Sequence, residues 1–198
     1  MKVRIQRPSR EQTRELILRK AEELFRHFGF GKTTVAEIAR DLEMSPANIY
    51  KYFPSKEAII EASGERNLNA MKESFLRADH SQKSSLERIE ILVLTIFRAH
   101  HEILRNEKQI YKLVITAREG NWKCVQNFHD FVLGTMTAIV KRGMKTHEFR
   151  SGNAAATAKL LLNCLNSSLD PLLLRNPSLE MSEKSVRAQV RFIGKALQ

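Results

Sequence analysis

The chain has 198 residues, of which 42% are apolar and 28% charged, and its 33 Lys and Arg against 22 Asp and Glu give a formal net charge of +11. This composition excludes intrinsic disorder, and two Cys exclude a disulfide framework or a zinc ribbon. Eight Gly, five Pro and few β-branched runs argue against an all-β fold. A basic, soluble, helical protein remains, and its charge indicates an anionic partner.

Capping signals predict two helices near the N-terminus. Ser9-Arg10-Glu11-Gln12 has the order of a capping box, apolar residues follow at helical spacing, and Gly29 lies where a helix stop belongs. Thr34-Val35-Ala36-Glu37 is a second capping box that begins a shorter helix. The first 54 residues are therefore predicted to form a small helical domain with a basic arm.

A third helix follows almost at once. Ser45-Pro46 pairs a good cap with Pro at the first helical position, and Pro54 is predicted to end this helix after Phe53. Only Glu43-Met44 separates it from the helix before, which is helix-turn-helix spacing. Such a turn commonly needs a residue with positive φ, so Glu43 is expected to adopt one at a cost of roughly 1 kcal/mol.

The remaining residues, 55–198, are predicted to form a larger helical domain. Residues 154–170 are apolar on more than one face, so they must be covered on two sides. Pro171 and Pro177 bracket a predicted loop. Helices are predicted over about residues 55–78, 84–104, 107–118, 125–143, 154–170 and 186–197, which makes about nine in all.

Neither a targeting segment nor a membrane span is expected. The basic N-terminus has no apolar stretch behind it, and polar residues and Pro171 interrupt the apolar residues 154–174. The two Cys fit a reducing compartment, so a cytoplasmic location is expected.

Three stretches of the N-terminal third carry a family resemblance. They are Phe28-Gly29-Phe30, the run from Thr33 to Ala39, and the run from Ser45 to Glu57 that contains Tyr50-Lys51-Tyr52-Phe53-Pro54. Over about residues 9–65 the chain resembles the DNA-binding domain of the TetR family of repressors. It departs from the family at Glu43-Met44, where Gly-Val is usual.

The resemblance implies which residues meet DNA. Asn48 would read adenine, while Tyr50, Lys51 and Tyr52 would contact phosphates or a thymine methyl. Thr34 and Lys56, at helix N-termini, would hold phosphates, and the basic arm would follow the backbone or enter the minor groove, unless it is only a solubilising tail. The candidate DNA-binding residues are Arg4, Arg7, Arg10, Thr34, Ser45, Pro46, Ala47, Asn48, Tyr50, Lys51, Tyr52 and Lys56.

For residues 55–198 the resemblance implies dimerisation through the last two long helices and a small-molecule pocket. The apolar residues 154–170 and the stripe from Val186 to Leu197 favour a partner surface independently, the alternative being that these faces are buried within one subunit. A two-fold dimer implies a near-palindromic operator on double-stranded DNA. The candidate ligand-binding residues, each also compatible with plain core packing, are Met71, Phe75, Phe97, His100, Tyr111, Trp122, Phe128 and Met136.

Three other functions were weighed against this one. An enzyme would use Cys124 with His129, or Ser167-Ser168 with a distant His. Cys124 and His129 point in different directions on a helix and lack an activating motif. A metal sensor would need His100, His101 and His129, of which the adjacent pair diverges by about 100°. An architectural or partner-binding helix-turn-helix adaptor without a ligand stays open, and no cofactor is expected.

Overall fold

The computed structural model describes residues 8–79, 82–176 and 181–198, and within these ranges it is helical with no strand. The all-α prediction is confirmed, although the described residues form eleven helices where about nine were predicted. In chain order they are α1 (Arg10–Phe28), α2 (Val35–Asp41), α3 (Pro46–Tyr50), α4 (Lys56–Ala78), α5 (Ser85–Asn106), α6 (Lys108–Glu119), α7 (Lys123–Lys145), α8 (Ala154–Cys164), α9 (Asn166–Leu169), α10 (Pro171–Leu174) and α11 (Glu183–Leu197).

The chain divides into two compact units, residues 1–66 and 67–198. The chain passes from one unit to the other within α4. The division predicted after residue 54 falls earlier, at the start of this helix.

The helix starts of the first unit follow the predicted caps. Ser9 and Thr34 each form a complete capping box, with Gln12 and Glu37 as the third helical residues, and Gly29 closes α1. Apolar residues from α1, α2 and α3 fill the core of this unit. The fully buried ones among them are Ile17, Ala21, Phe25, Ile38, Ala39 and Ile49.

Within this unit, an ion pair at Arg66 joins α4 to α1. Arg66 donates a 2.6 Å hydrogen bond to the carboxylate of Glu15 and pairs with Glu22, whose side chain is only 8% exposed. Burial raises the pKa of Glu22 against the opposing effect of Arg66. A buried carboxylate needs such a partner, so the ion pair fixes α4 against α1.

The second unit is built around one apolar cluster to which α5, α7, α8 and α11 contribute. Phe97, Met136, Leu161 and Val190 are among its buried members. Gly194 permits close packing of α11 on α5, because a Cβ there would lie 2.7 Å from the side chain of Leu86.

Two predicted helix ends are wrong. α3 ends at Tyr50 rather than Phe53. Pro54 disfavours the helical conformation for Phe53, and residues 51–52 form a turn. The single helix predicted over 154–170 breaks at Leu165, and α9 follows the break.

The loop predicted after Pro171 begins as a short helix instead. The Asp170 carboxylate accepts a 2.9 Å hydrogen bond from the Leu172 N–H, and Pro171 occupies the first helical position of α10. Pro at this position is compatible with a helix start because its missing N–H would have no partner there. Pro177, the other end of the predicted loop, lies outside the described residues.

Glu43 adopts the left-handed conformation expected of the turn between α2 and α3. Its φ is 54°, and the next N–H, from Met44, donates a 2.8 Å hydrogen bond to the carbonyl of Ala39. The side chain is exposed, so nothing offsets the steric cost of the Cβ in this conformation.

Replacing this residue relieves that cost. We expect Glu43→Gly to raise the free energy of unfolding by up to about 1 kcal/mol and to raise the melting temperature, measured by thermal denaturation. Glu43→Ala, which keeps the Cβ, is the control and should give no comparable gain. An equal effect of the two substitutions would contradict this explanation of the turn.

Candidate nucleic-acid interface and ligand cavity

The recognition segment, residues 45–52, comprises α3 with its cap and the following turn. The Ser45 hydroxyl accepts a 3.2 Å hydrogen bond from the Asn48 N–H, and Pro46 begins the helix. Ile49 is fully buried and Phe53, just beyond the segment, is nearly so. Burial of Ile49 fixes one side of the segment against the unit and leaves the other side outward.

Seven of the predicted DNA-binding residues lie together on this segment. Five of them are exposed, and the remaining two, Asn48 and Tyr52, are partly buried. The side chain of Tyr50 is 50% exposed. The exposed five are Ser45, Pro46, Ala47, Tyr50 and Lys51.

The two predicted phosphate contacts at helix N-termini already have partners within the unit. The Thr34 hydroxyl accepts from the Glu37 N–H at 3.2 Å and donates to the Glu37 carboxylate at 2.9 Å. Two hydrogen bonds from Thr34 lower the pKa of Glu37. The bond from the Thr34 backbone N–H has the larger effect, and the bond from its hydroxyl adds to it. The Lys56 ammonium lies 4.1 Å from the centroid of the Phe30 ring. A phosphate would share these groups rather than find them unoccupied.

The basic arm is represented in the structure by Arg10, an exposed residue at the start of α1. Arg4 and Arg7 lie outside the described residues. Arg14, which the sequence analysis did not single out, places its guanidinium 4.7 Å from the centroid of the Phe53 ring. The contact brings a positive charge next to the recognition segment. In the sequence, the only signal for this role of Arg14 is its place in the basic N-terminal run.

The second unit contains a cavity of about 750 Å³. Two of the eight predicted ligand-binding residues, His100 and Phe128, line it. Sequence reasoning missed its other polar members. In the described part of the chain the wall is formed by Leu68, Ile96, His100, Val114, Arg118, Asn121, Val125, Gln126, Phe128, His129, Asp130, Val132, Leu162, Asn163, Asn166, Leu169, Asp170 and Pro171.

The other six candidates lie elsewhere. Phe75, Phe97 and Met136 belong to the apolar core, and Met71 packs against it. The Tyr111 hydroxyl donates a 2.8 Å hydrogen bond to the carbonyl of Pro171. The sixth, Trp122, precedes α7 as its N-cap residue. These large side chains fill space between helices, as apolar residues at helical spacing usually do.

His100 is the most informative group of the cavity wall. Its Nδ1 lies 3.1 Å from the carbonyl oxygen of Leu169. Burial lowers the pKa of His100 to about 4, a shift that the Leu169 carbonyl and Asp170 partly oppose. The ring is therefore neutral near pH 7.

An ion pair joins the cavity wall to α10. Arg118 donates a 3.1 Å hydrogen bond to Asp170, whose side chain is 8% exposed and also caps α10. The arginine is thereby committed to a carboxylate and is not an unpaired cation.

The residues proposed for the rival functions do not converge. Cys124 is buried, whereas His129 is exposed and lies 3.8 Å from Asp130. His101 stacks on Phe97 with its ring centroid 5.2 Å away. Among the described residues no group of three or more His, Cys, Asp or Glu side chains is arranged to hold a metal ion, and no described helix is long and apolar enough to cross a membrane.

Two family profiles match the chain. The profile "Bacterial regulatory proteins, tetR family" matches residues 17–63, which contain the recognition segment. The profile "Tetracyclin repressor-like, C-terminal domain" matches residues 86–190, which contain most of the cavity wall.

Individual proteins agree with these profiles. A helix-turn-helix transcriptional regulator of Bacillus subtilis, YuxN, is 40% identical over 50 residues, which are 25% of this chain and 17% of that protein. A TetR/AcrR-family regulator from Thermobifida fusca superposes with a TM-score of 0.69 at 23% identity, covering 94% of this chain and 98% of that one.

A second solved structure shows the same fold. SmeT, the repressor of the Stenotrophomonas maltophilia multidrug efflux pump SmeDEF, has a TM-score of 0.64 at 20% identity and covers 94% of this chain and 90% of that one. With both profiles matched and the helix-turn-helix segment in place, the chain belongs to the TetR family of DNA-binding transcriptional regulators.

Proposed function

We propose that the chain is a dimeric repressor that binds a near-palindromic operator and leaves it when a small molecule occupies the cavity of the second unit. The observation that carries the sensing part is the cavity itself. Small-molecule sites have volumes of about 300–1,000 Å³, and this cavity of about 750 Å³ lies within that range. A filled second unit would instead have favoured an adaptor without a ligand.

Exposed apolar residues on α8 and α11 support dimerisation. Phe192 is 76% and Leu160 64% exposed, and apolar surface of this kind commonly marks a protein interface. Gln189 of α11 donates a 3.2 Å hydrogen bond to the carbonyl of Cys164, which brings the end of α8 next to α11. We infer that these helices pair with the same helices of a second copy.

A two-fold dimer would fix the distance between the two segments that contact DNA. It would present two recognition segments about 34–36 Å apart, one turn of DNA, so each would meet one half of the operator. The charge agrees with this arrangement, because residues 1–56 carry twelve basic and seven acidic side chains.

Helix α4 offers a route from ligand to operator. Leu68 of this helix lines the cavity, while Arg66, two residues earlier, is held by Glu15 and Glu22 of the first unit. A ligand that displaces α4 would therefore disturb the unit that carries the recognition segment. Repression, as in SmeT, is the sign of regulation we propose, with action in the cytoplasm and no catalytic activity.

Selection of bound DNA from a random pool tests the proposal directly. We expect recovered sequences to contain two inverted half-sites whose centres are separated by about one helical turn. Recovery of a single half-site, or of no common sequence, would contradict the dimeric repressor.

Two substitutions should separate base reading from phosphate binding on the selected operator. We expect Asn48→Ala to relax one base position in each half-site and to cost about 1–3 kcal/mol there. Lys56→Ala should weaken all sequences about equally and reduce the slope of log affinity against log salt by about one for each chain bound. Both are measured by fluorescence anisotropy, with Lys184→Ala in the second unit as the control. The reverse pattern would remove both assignments.

The dimer face has its own test. We expect Phe192→Glu to convert the dimer to a single chain of 22.8 kDa, because charges would face each other in a desolvated interface. Leu76→Glu, which alters a residue 59% exposed on α4, is the matched control and should leave the dimer intact. Sedimentation velocity gives both masses. A Phe192→Glu protein that still sediments as a dimer would place the interface elsewhere.

A further inference from the structure

The chemistry of the cavity wall limits which molecules the cavity accepts, and this inference rests on the ligand-responsive function proposed above. Several hydrogen-bond donors of the wall are already engaged inside the protein. Gln126 donates through Nε2 to the carbonyl of Asn121 at 2.7 Å, and Arg118 donates to Asp170 at 3.1 Å. Each of these bonds uses one N–H of its side chain and holds that donor to a partner within the protein.

His100 lines the cavity and one of its ring nitrogens is an acceptor. The carbonyl of Leu169 only accepts, so the hydrogen bond at 3.1 Å requires the ring to carry its hydrogen on Nδ1. A neutral ring with hydrogen on Nδ1 has an acceptor lone pair on Nε2. The structure thus sets a fixed acceptor in the wall, held in one tautomer by the chain itself.

The charges of the wall disfavour an anion. Arg118 is the one Lys or Arg in the described wall, and it faces the carboxylate of Asp170. Asp130 adds a second carboxylate to the lining. An anionic ligand would lose its hydration there without gaining an unpaired cation, a cost that an uncharged ligand avoids.

Much of the rest of the wall is apolar, and the side chains of Asn121, Asn163 and Asn166 line it as well. Ile96 and Val132 are buried, and Phe128 is 9% exposed. Leu162 of α8 completes this apolar part. Apolar walls with a few placed polar groups are the usual composition of sites for small organic molecules.

We propose that the effector is an uncharged, mainly apolar molecule that carries one hydrogen-bond donor, a hydroxyl or an N–H group, which His100 accepts through Nε2. The acceptor fixes the orientation of the molecule, and the apolar wall supplies most of its affinity. Acids of similar size are excluded by the carboxylates and by the absence of an unpaired cation in the described wall.

Three probes of nearly equal size test this proposal by isothermal titration calorimetry. They are 4-phenylphenol, which has a donor, 4-methoxybiphenyl, which has only an acceptor, and biphenyl-4-carboxylate, which is an anion. We expect the phenol to bind the full-length protein about tenfold more tightly than the ether, and the carboxylate to bind most weakly. Tightest binding by the carboxylate, or no binding by any probe, would overturn the proposal.

Substitution assigns the preference to one side chain. We expect His100→Phe, which keeps a planar ring without an acceptor, to bring the phenol and the ether within about twofold of each other. His101→Phe is the control, because His101 stacks on the Phe97 ring with 5.2 Å between centroids and is not part of the described wall, and it should keep the preference. An unchanged preference in His100→Phe would overturn the role of His100. The wild-type preference decides the ligand class even if this variant does not fold.

The same probes separate this inference from the function on which it rests. If the carboxylate binds best and also releases the selected operator, the ligand class is wrong and the ligand-responsive repressor stands. If the phenol binds with the predicted preference but leaves operator affinity unchanged at saturation, the ligand class stands and release by a ligand is wrong.

Discussion

The recognition helix is too short to be stable by itself, and the first unit is organised around this constraint. Isolated helices below about 12–15 residues are marginal in water, whereas α3 has five residues. The Ser45 cap, Pro46 at the first position and the complete burial of Ile49 supply what the short backbone lacks. Five residues also read few base pairs, and the proposed dimer would add a second copy of the segment.

The second unit divides its apolar residues among three uses: a core, an exposed face and a cavity wall. Met136 is fully buried in the core, Phe192 is 76% exposed, and Phe128 lines the cavity. His100 lies between core and cavity. Its Nδ1 is hydrogen-bonded to the carbonyl of Leu169, and its ring lines the cavity. Polar residues placed in this way give an apolar cavity its chemical selectivity.

Features that depend on a few neighbouring residues could be predicted from the sequence, whereas features without such a local signal could not. The capping boxes at Ser9 and Thr34 act over three residues, and both begin helices as predicted. The break at Leu165 carries no such local signal, because an uninterrupted apolar stretch is compatible with one helix or two. The left-handed Glu43 was predictable because the spacing of α2 and α3 requires a tight turn.

The same distinction separates the two candidate sites: the recognition segment is local in sequence, and the cavity wall is not. Seven DNA-binding candidates lie on one short segment, so a linear motif groups them by itself. The cavity wall gathers residues from α4 to the start of α10, and an apolar residue at helical spacing has the same appearance in a core and in a cavity. His100 lines the cavity, whereas Phe97, a candidate on the same grounds, lies in the core.

Two recognition segments acting together on one DNA site are the central claim, and stoichiometry tests it most directly. Native mass spectrometry of the protein on a selected operator, and on the same duplex with one half-site scrambled, counts the bound chains. We predict two chains on the intact operator, and loss of the tight complex when one half-site is scrambled. A single chain that binds both duplexes with equal affinity would contradict the account.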